Sequence, residues 1–197
     1  MYIPLGFGAI FMMGFEAWLG KLVVDGNLIP GSITIHMLGA VVIVLLLGAI
    51  IRKSQEVRIQ TSKRMKVFLI IFLVLGLVQL LLGTQVREEI DYFAKEGFLP
   101  RGEWVESIGL WFLIHRSFSW ILLAGAAFLV AWDQRSEFKL GLTFRIGILV
   151  LLQVMVGVGL AWFELPPYLQ PTHLVGSILL LALVWDRILI SSAQIAK

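Results

Sequence analysis

The chain has 197 residues, of which 59% are hydrophobic and 15% charged, with a formal net charge of +3 and a mean hydropathy of +0.92. A soluble domain carries about 25% charged residues, so these values exclude an ordinary soluble fold and point to the membrane class. There is no cysteine, which excludes a disulfide, a thiolate ligand and a cysteine nucleophile; the basic residues gather in connecting segments and form no nucleic-acid surface.

A helix that crosses a bilayer needs about 20 mostly apolar residues. Six segments meet that requirement: 3–24, 31–52, 66–87, 107–132, 142–163 and 170–192. The predicted fold is therefore an all-α integral membrane protein of six transmembrane helices, with no room for a soluble domain. The N-terminal stretch lacks a charged n-region and a small-residue cleavage site, so no signal peptide is expected. Lys and Arg mark the loops that stay inside. The 52–66 loop holds Arg52, Lys53, Arg58, Lys63, Arg64 and Lys66, the 133–145 loop holds Arg135, Lys139 and Arg145, and the C-terminal end holds Arg187 and Lys197. The alternate loops, 25–30, 88–106 and 164–169, carry Lys95 and Arg101 against Asp25, Glu88, Glu89, Asp91, Glu96, Glu103, Glu106 and Glu164. Both termini are expected to be cytoplasmic, with the three acidic loops outside. Trp18, Trp104, Trp111 and Trp162 fall towards that outer boundary and read as an aromatic belt.

The helices form three hairpins of one design. Each outward-going helix carries a polar residue, three bulky apolar residues and a glycine near its outer end: Glu16 to Gly20, Gln79 to Gly83 and Gln153 to Gly157. Each returning helix carries one of the three histidines, His36, His115 and His173. Gly20 precedes His36 by sixteen residues and Gly157 precedes His173 by the same; Pro30 and Pro167 each stand six residues before their histidine. The middle copy has a longer outer loop. At 1.5 Å per residue all three histidines lie within about two to three turns of the outer boundary.

An ionisable group at membrane depth is costly and by default suggests function. Axial imidazole is a common way to hold haem iron, and facing helices of a bundle build such sites. Three histidines at matched depth favour ligation over the plainer reading of helix-packing hydrogen bonds. Residues three and four positions on share the histidine's face: Gly39 and Ala40, Phe118 and Ser119, Gly176 and Ser177. Small residues there leave a flat void suited to a macrocycle, or simply allow close packing. A zinc site fits less well, because cysteine is absent and no carboxylate lies at helical spacing from a histidine. Arg87 and Arg116 match a haem propionate bidentately; the alternative for Arg87 is snorkelling to headgroups, whereas Arg116 is deeper and needs a partner. Glu16 is either a proton-handling group or a neutral acid bonded across helices, and the glutamines at the same station favour the structural role.

With these residues in hand, the chain resembles the haem A synthase family. The resemblance is carried by GFEAWLGKLVVDGNLIPGSITIHMLGA (14–40), LVQLLLGTQVREEID (77–91), FLIHRSFSW (112–120) and PTHLVGSILL (171–180), and it touches every helix. LGTQVR followed by HRSFSW is its most specific part. The family oxidises a ring methyl of haem O to a formyl group, giving haem A for terminal oxidases. It is usually built as two four-helix halves, each with a histidine pair.

The resemblance implies two units: 1–65, the remainder of an N-terminal half containing His36, and 66–197, a C-terminal four-helix haem-binding bundle. His115 and His173 would be axial ligands of haem B, with Arg87, Arg116, Ser119 and Gly176 around it. His36, Gly39 and Glu16 would border the site of the substrate haem O and product haem A. The family motif that pairs a catalytic glutamate with a following His-Arg is not matched, since Phe112 stands three residues before His115. The catalytic residue is therefore unassigned, and the chain looks like a member without the first two family helices. The implied setting is a bacterial inner membrane, with haem, membrane lipid, a haem O synthase or electron donor, and a second copy of the chain as partners. The rival readings are a membrane b-type cytochrome that holds haem without converting it, and a small transporter with helix-packing histidines.

Overall fold

The computed structural model describes residues 3–27, 29–55, 59–134 and 141–193. Arg58, Arg135, Lys139 and Lys197, used above for orientation, lie outside the described residues. Among the described residues, six helices are long and apolar enough to cross a membrane. They are α1 (Ile3–Asp25), α2 (Ser32–Gln55), α3 (Lys63–Glu96), α5 (Leu110–Gln134), α6 (Gly141–Trp162) and α7 (Leu169–Ile190), with the short α4 (Trp104–Ser107) between α3 and α5. Consecutive helices form the pairs α1–α2, α3–α5 and α6–α7, and α7 also packs on α2 and α3. The three-hairpin reading of the sequence is thus the packing plan of the molecule.

Three details depart from the expected spans. Helix α3 does not stop at 87 but runs to Glu96 and protrudes about three turns beyond its apolar stretch. Residues 88–96 are good helix formers with Ile90 and Asp91 buried, so the helix continues as an amphipathic one that a hydropathy window does not see. It ends at Gly97, whose φ of 66° is a left-handed conformation that favours glycine, with its N–H on the Phe93 carbonyl. The span expected from 107 is broken at Ile108, so that α4 is separate from α5. At the basic end, Ile59–Thr61 (β1) and Ser191–Ala193 (β2) pair in parallel, Ile59 opposite Ser191, where a loop and a continuing helix were expected.

The main core is formed at mid-depth and towards the basic end. Leu69, Leu129, Ile146 and Val184, one from each of α3, α5, α6 and α7, are almost wholly buried, and Met37 and Val41 of α2 join the same cluster. Helix α2 is held to α7 by the Arg52–Asp186 ion pair and by Trp185 Nε1, which donates to the Leu45 carbonyl at 2.9 Å. Arg187, read above as a loop-facing charge, is 3% exposed. Its guanidinium reaches Ser191 Oγ at 2.6 Å, Thr61 Oγ1 at 3.3 Å, Thr143 Oγ1 at 3.4 Å and Asp133 Oδ1 at 3.6 Å. It ties β1, α5, α6 and the end of α7 into one knot, which gives a buried charge the partners it requires.

The acidic end has a second, smaller apolar cluster: Ile90, Ile108 and Leu165, packed by Val86, Phe93, Trp104, Val105, Phe112 and Leu160. Trp104, expected in an aromatic belt, belongs to this cluster, with Nε1 donating to the Leu99 carbonyl at 3.1 Å. Trp18, Trp111 and Trp162 are exposed, as a belt requires.

Candidate functional site: three histidine stations

In every hairpin the glycine of one helix meets the imidazole of the other. A Cβ on Gly20, Gly83 or Gly157 would stand 3.2, 3.2 and 3.5 Å from Cε1 of His36, His115 and His173 respectively. The repeated glycine therefore supplies a flat wall against which each ring lies. The histidines sit four or five residues into α2, α5 and α7, which fixes their common depth.

The polar residue one turn before each glycine is the second component. Glu16 packs its carboxyl on Gly39, and Gln153 packs its amide on Gly176, so closely that a side chain at either glycine would collide with it. The void expected beneath those two imidazoles is filled by the polar group of the facing helix. Ser177 has its hydroxyl 3.1 Å from Gln153 Oε1 and 2.8 Å from the His173 carbonyl. In the middle copy, where Phe118 replaces that glycine, Gln79 Nε2 donates to the His115 carbonyl at 3.1 Å. Gln79 and Gln153 thus bind their histidine's backbone directly or through Ser177. Glu16 differs in chemistry and in reach: its Oε1 is 2.6 Å from His36 Nδ1. The two groups lie off the hydrogen-bond line, so the contact is a close approach of carboxyl and imidazole across the hairpin. Spacing along a single helix does not disclose this carboxylate, because it comes from across the hairpin.

The structure separates the trio. The His115 and His173 rings face each other across α5 and α7, with centroids 6.4 Å apart and planes at 74°. Their Nδ1 atoms, like that of His36, are buried with no hydrogen-bond partner among the described residues. A buried unpartnered polar atom is uncommon and asks for an explanation. His36 has Glu16 as its polar neighbour, and its side chain is 37% exposed against 10% for Glu16.

Arg87 lies one turn beyond Gly83. It grips Asp91 with Nε at 3.0 Å and Nη2 at 2.7 Å, and donates through Nη1 to Gln170 of α7, three residues before His173. It therefore bridges α3 and α7 next to the histidine pair, while 45% of its side chain stays exposed. Asp91 and Gln170 were not singled out in the sequence; Asp91 was findable from its i,i+4 spacing to Arg87. Arg116 is exposed on α5, with its guanidinium 5.7 Å from the centroid of Phe112. The deep partner expected for it is replaced by an aromatic face. Ser119 Oγ donates to the Arg116 carbonyl at 2.6 Å, so that hydroxyl serves its own helix.

A model of the COX15-CtaA family, described as cytochrome oxidase assembly protein, matches residues 2–185. The chain belongs to this family. All four stretches that carry the resemblance to haem A synthases, and all three histidine stations, fall inside the matched range. Membership also accounts for a bundle whose spanning helices are matched from α1 well into α7. No curated protein and no solved structure matches the chain.

Proposed function

We propose that this protein is a haem A synthase-like membrane oxidoreductase, in which His115 and His173 would hold a haem B and His36 and Glu16 would border the place of the substrate haem O. The observation that carries the reading is the facing pair of imidazoles with unsatisfied Nδ1 atoms. Metal–imidazole bonds are about 2.0 Å long, so the 6.4 Å between the two ring centroids would leave room for one metal ion held by both histidines. Among the described residues no three His, Asp or Glu side chains converge on a common point. Two nitrogens suit an ion whose remaining ligands come from a macrocycle.

Bound haem supplies the redox chemistry that turns a ring methyl into a formyl group; the chain supplies ligation, orientation and polarity. Gly83 and Gly157 hold the two rings flat, and Gln79 and the Gln153–Ser177 pair fix the helical turns that carry them. Arg87 presents a half-exposed guanidinium beside the pair, suited to a carboxylate. His36 with Glu16 forms a separate and more open station, where Gly39 leaves room for the carboxyl.

The test is an absorption spectrum of the purified protein with pigment extraction. A low-spin bis-histidine spectrum lost in both His115→Ala and His173→Ala is expected; a spectrum retained in both sinks the assignment. Conversion is read by adding haem O and extracting the product, with His36→Ala expected to abolish haem A formation. The second reading, a b-type cytochrome that holds haem without converting it, is favoured by one fact: His36 faces a carboxylate, whereas the other two histidines face each other. Bound redox-active haem with no haem A formed would establish it.

A further inference from the structure

At the basic end, α3 and α5 leave a groove of about 470 Å³ between them. Its walls are Val67, Phe68 and Ile71 from α3 and Phe128 and Trp132 from α5. The three aromatic rings make one continuous surface: Phe68 lies 5.1 Å from Phe128 and 6.2 Å from Trp132, and Phe128 lies 5.4 Å from Trp132, centroid to centroid. Val67, Ile71 and Phe128 are each more than half exposed. At the mouth stand Lys63 and Arg64, both exposed, on the first turn of α3. Neither has an ion-pair partner among the described residues. From Lys63 to Ile71 the groove descends about 12 Å into the spanning region.

Two cations at the water boundary above an aromatic slot that continues into the bilayer match the chemistry of one kind of molecule. We infer that this groove binds an anionic phospholipid of the leaflet that the Lys/Arg-rich loops face, with its phosphate headgroup between Lys63 and Arg64 and an acyl chain along Phe68, Phe128 and Trp132. A zwitterionic lipid satisfies the slot but leaves the two cations uncompensated. A water-soluble anion satisfies the cations but leaves the slot to ordinary lipid. Basic pockets between spanning helices are a known form of headgroup recognition, and each cation near an anionic surface contributes about a 5-fold gain in binding. The pair therefore predicts roughly a 25-fold preference for phosphatidylglycerol over phosphatidylcholine. The site is remote from the histidines and does not depend on their function.

The experiment uses the purified full-length protein, delipidated in neutral detergent. Brominated-chain phosphatidylglycerol and phosphatidylcholine are titrated while tryptophan fluorescence is read, with Trp132→Phe to assign the quenched residue. The expected result is quenching at Trp132 by phosphatidylglycerol at about 25-fold lower concentration. In Lys63→Gln/Arg64→Gln the two lipids should become equivalent, with the phosphatidylcholine curve unchanged as proof that the groove is intact. Equal binding of the two lipids by the unaltered protein overturns the proposal. So does quenching that persists undiminished in Trp132→Phe, or displacement of phosphatidylglycerol by equimolar inorganic phosphate.

Discussion

Three glycines of the histidine stations, Gly157, Gly83 and Gly176, offer a graded test, because the space in front of each differs. Replacing glycine by alanine inside a helix gains about 0.8–1.0 kcal/mol from backbone propensity alone. At Gly157 the new methyl stands 3.5 Å from His173 Cε1, an ordinary van der Waals contact. Gly157→Ala should therefore be neutral or stabilising by up to about 1 kcal/mol. At Gly83 the methyl stands 3.2 Å from His115 Cε1, so the ring must yield by a few tenths of an ångström. Stability should then stay near that of the parent while the ring is displaced relative to His173. At Gly176 the methyl occupies the place of the Gln153 amide. Expelling that group costs about 1–3 kcal/mol by overpacking and breaks its contact with Ser177, so a net loss of about 1–2 kcal/mol remains after the propensity gain. Thermal unfolding of the purified proteins in one detergent gives the order of stability, and the absorption spectrum with added haem reports the ring. The expected order is Gly157→Ala at or above the parent, Gly83→Ala near it with an altered spectrum, and Gly176→Ala below it. Gly176→Ala as stable as Gly157→Ala would refute the packing argument, and an unaltered Gly83→Ala spectrum would show that the glycine wall does not set the ring.

Other regions give sharper stability and dynamics predictions. Arg187→Met leaves Asp133 buried without its guanidinium and should lower stability by about 3–5 kcal/mol; much of that should return in Arg187→Met/Asp133→Asn, measured by thermal unfolding. Gln79→Leu removes the bond to the His115 carbonyl, and bonds of this type in membranes average about 0.6 kcal/mol. The melting point should fall slightly, with a larger effect on binding of added haem than on the fold. Arg101 donates to the carbonyls of Glu164 and Leu165, both in left-handed conformations; Arg101→Gln should speed proteolysis at 164–168 and hydrogen exchange in the connections of the acidic end together, while leaving the spanning helices protected.

Much of this architecture is legible in the sequence because the bilayer makes local rules decisive. Each spanning segment must satisfy its own backbone, so apolar length alone locates α1, α2, α6 and α7 to within a few residues. The station repeat was visible for the same reason: a glycine and a histidine at one depth in paired helices are forced to meet. What remained hidden comes from contacts across helices. Glu16 stands out in α1 as a polar group, but α1 alone does not show that its carboxyl meets the His36 ring of α2. Arg187 resembles any terminal basic residue until β1, α5 and α6 close around its guanidinium. The parallel pairing of Ile59–Thr61 with Ser191–Ala193 links segments far apart in the chain, and three residues are too few to leave a periodic signal. The extension of α3 was obscured because its polar residues read as loop on a hydropathy scale.

That extension has consequences for how the acidic end moves. Lys95 holds the Asn27 carbonyl, Glu88 accepts from Gly31 N–H at 2.9 Å and lies 3.2 Å from Thr34 Oγ1, and Glu89 accepts from Gly109 N–H at 3.2 Å. Through Arg87 and Gln170 the same helix also reaches the start of α7. All three connections thus lean on one rod of 34 residues, about 51 Å long. Independent flaps are not available to such a roof. Access to the histidines from that side must open by tilting or fraying the rod, so amides of 26–27, 29–31, 98–109 and 164–168 should exchange with solvent together, as a single cooperative unit.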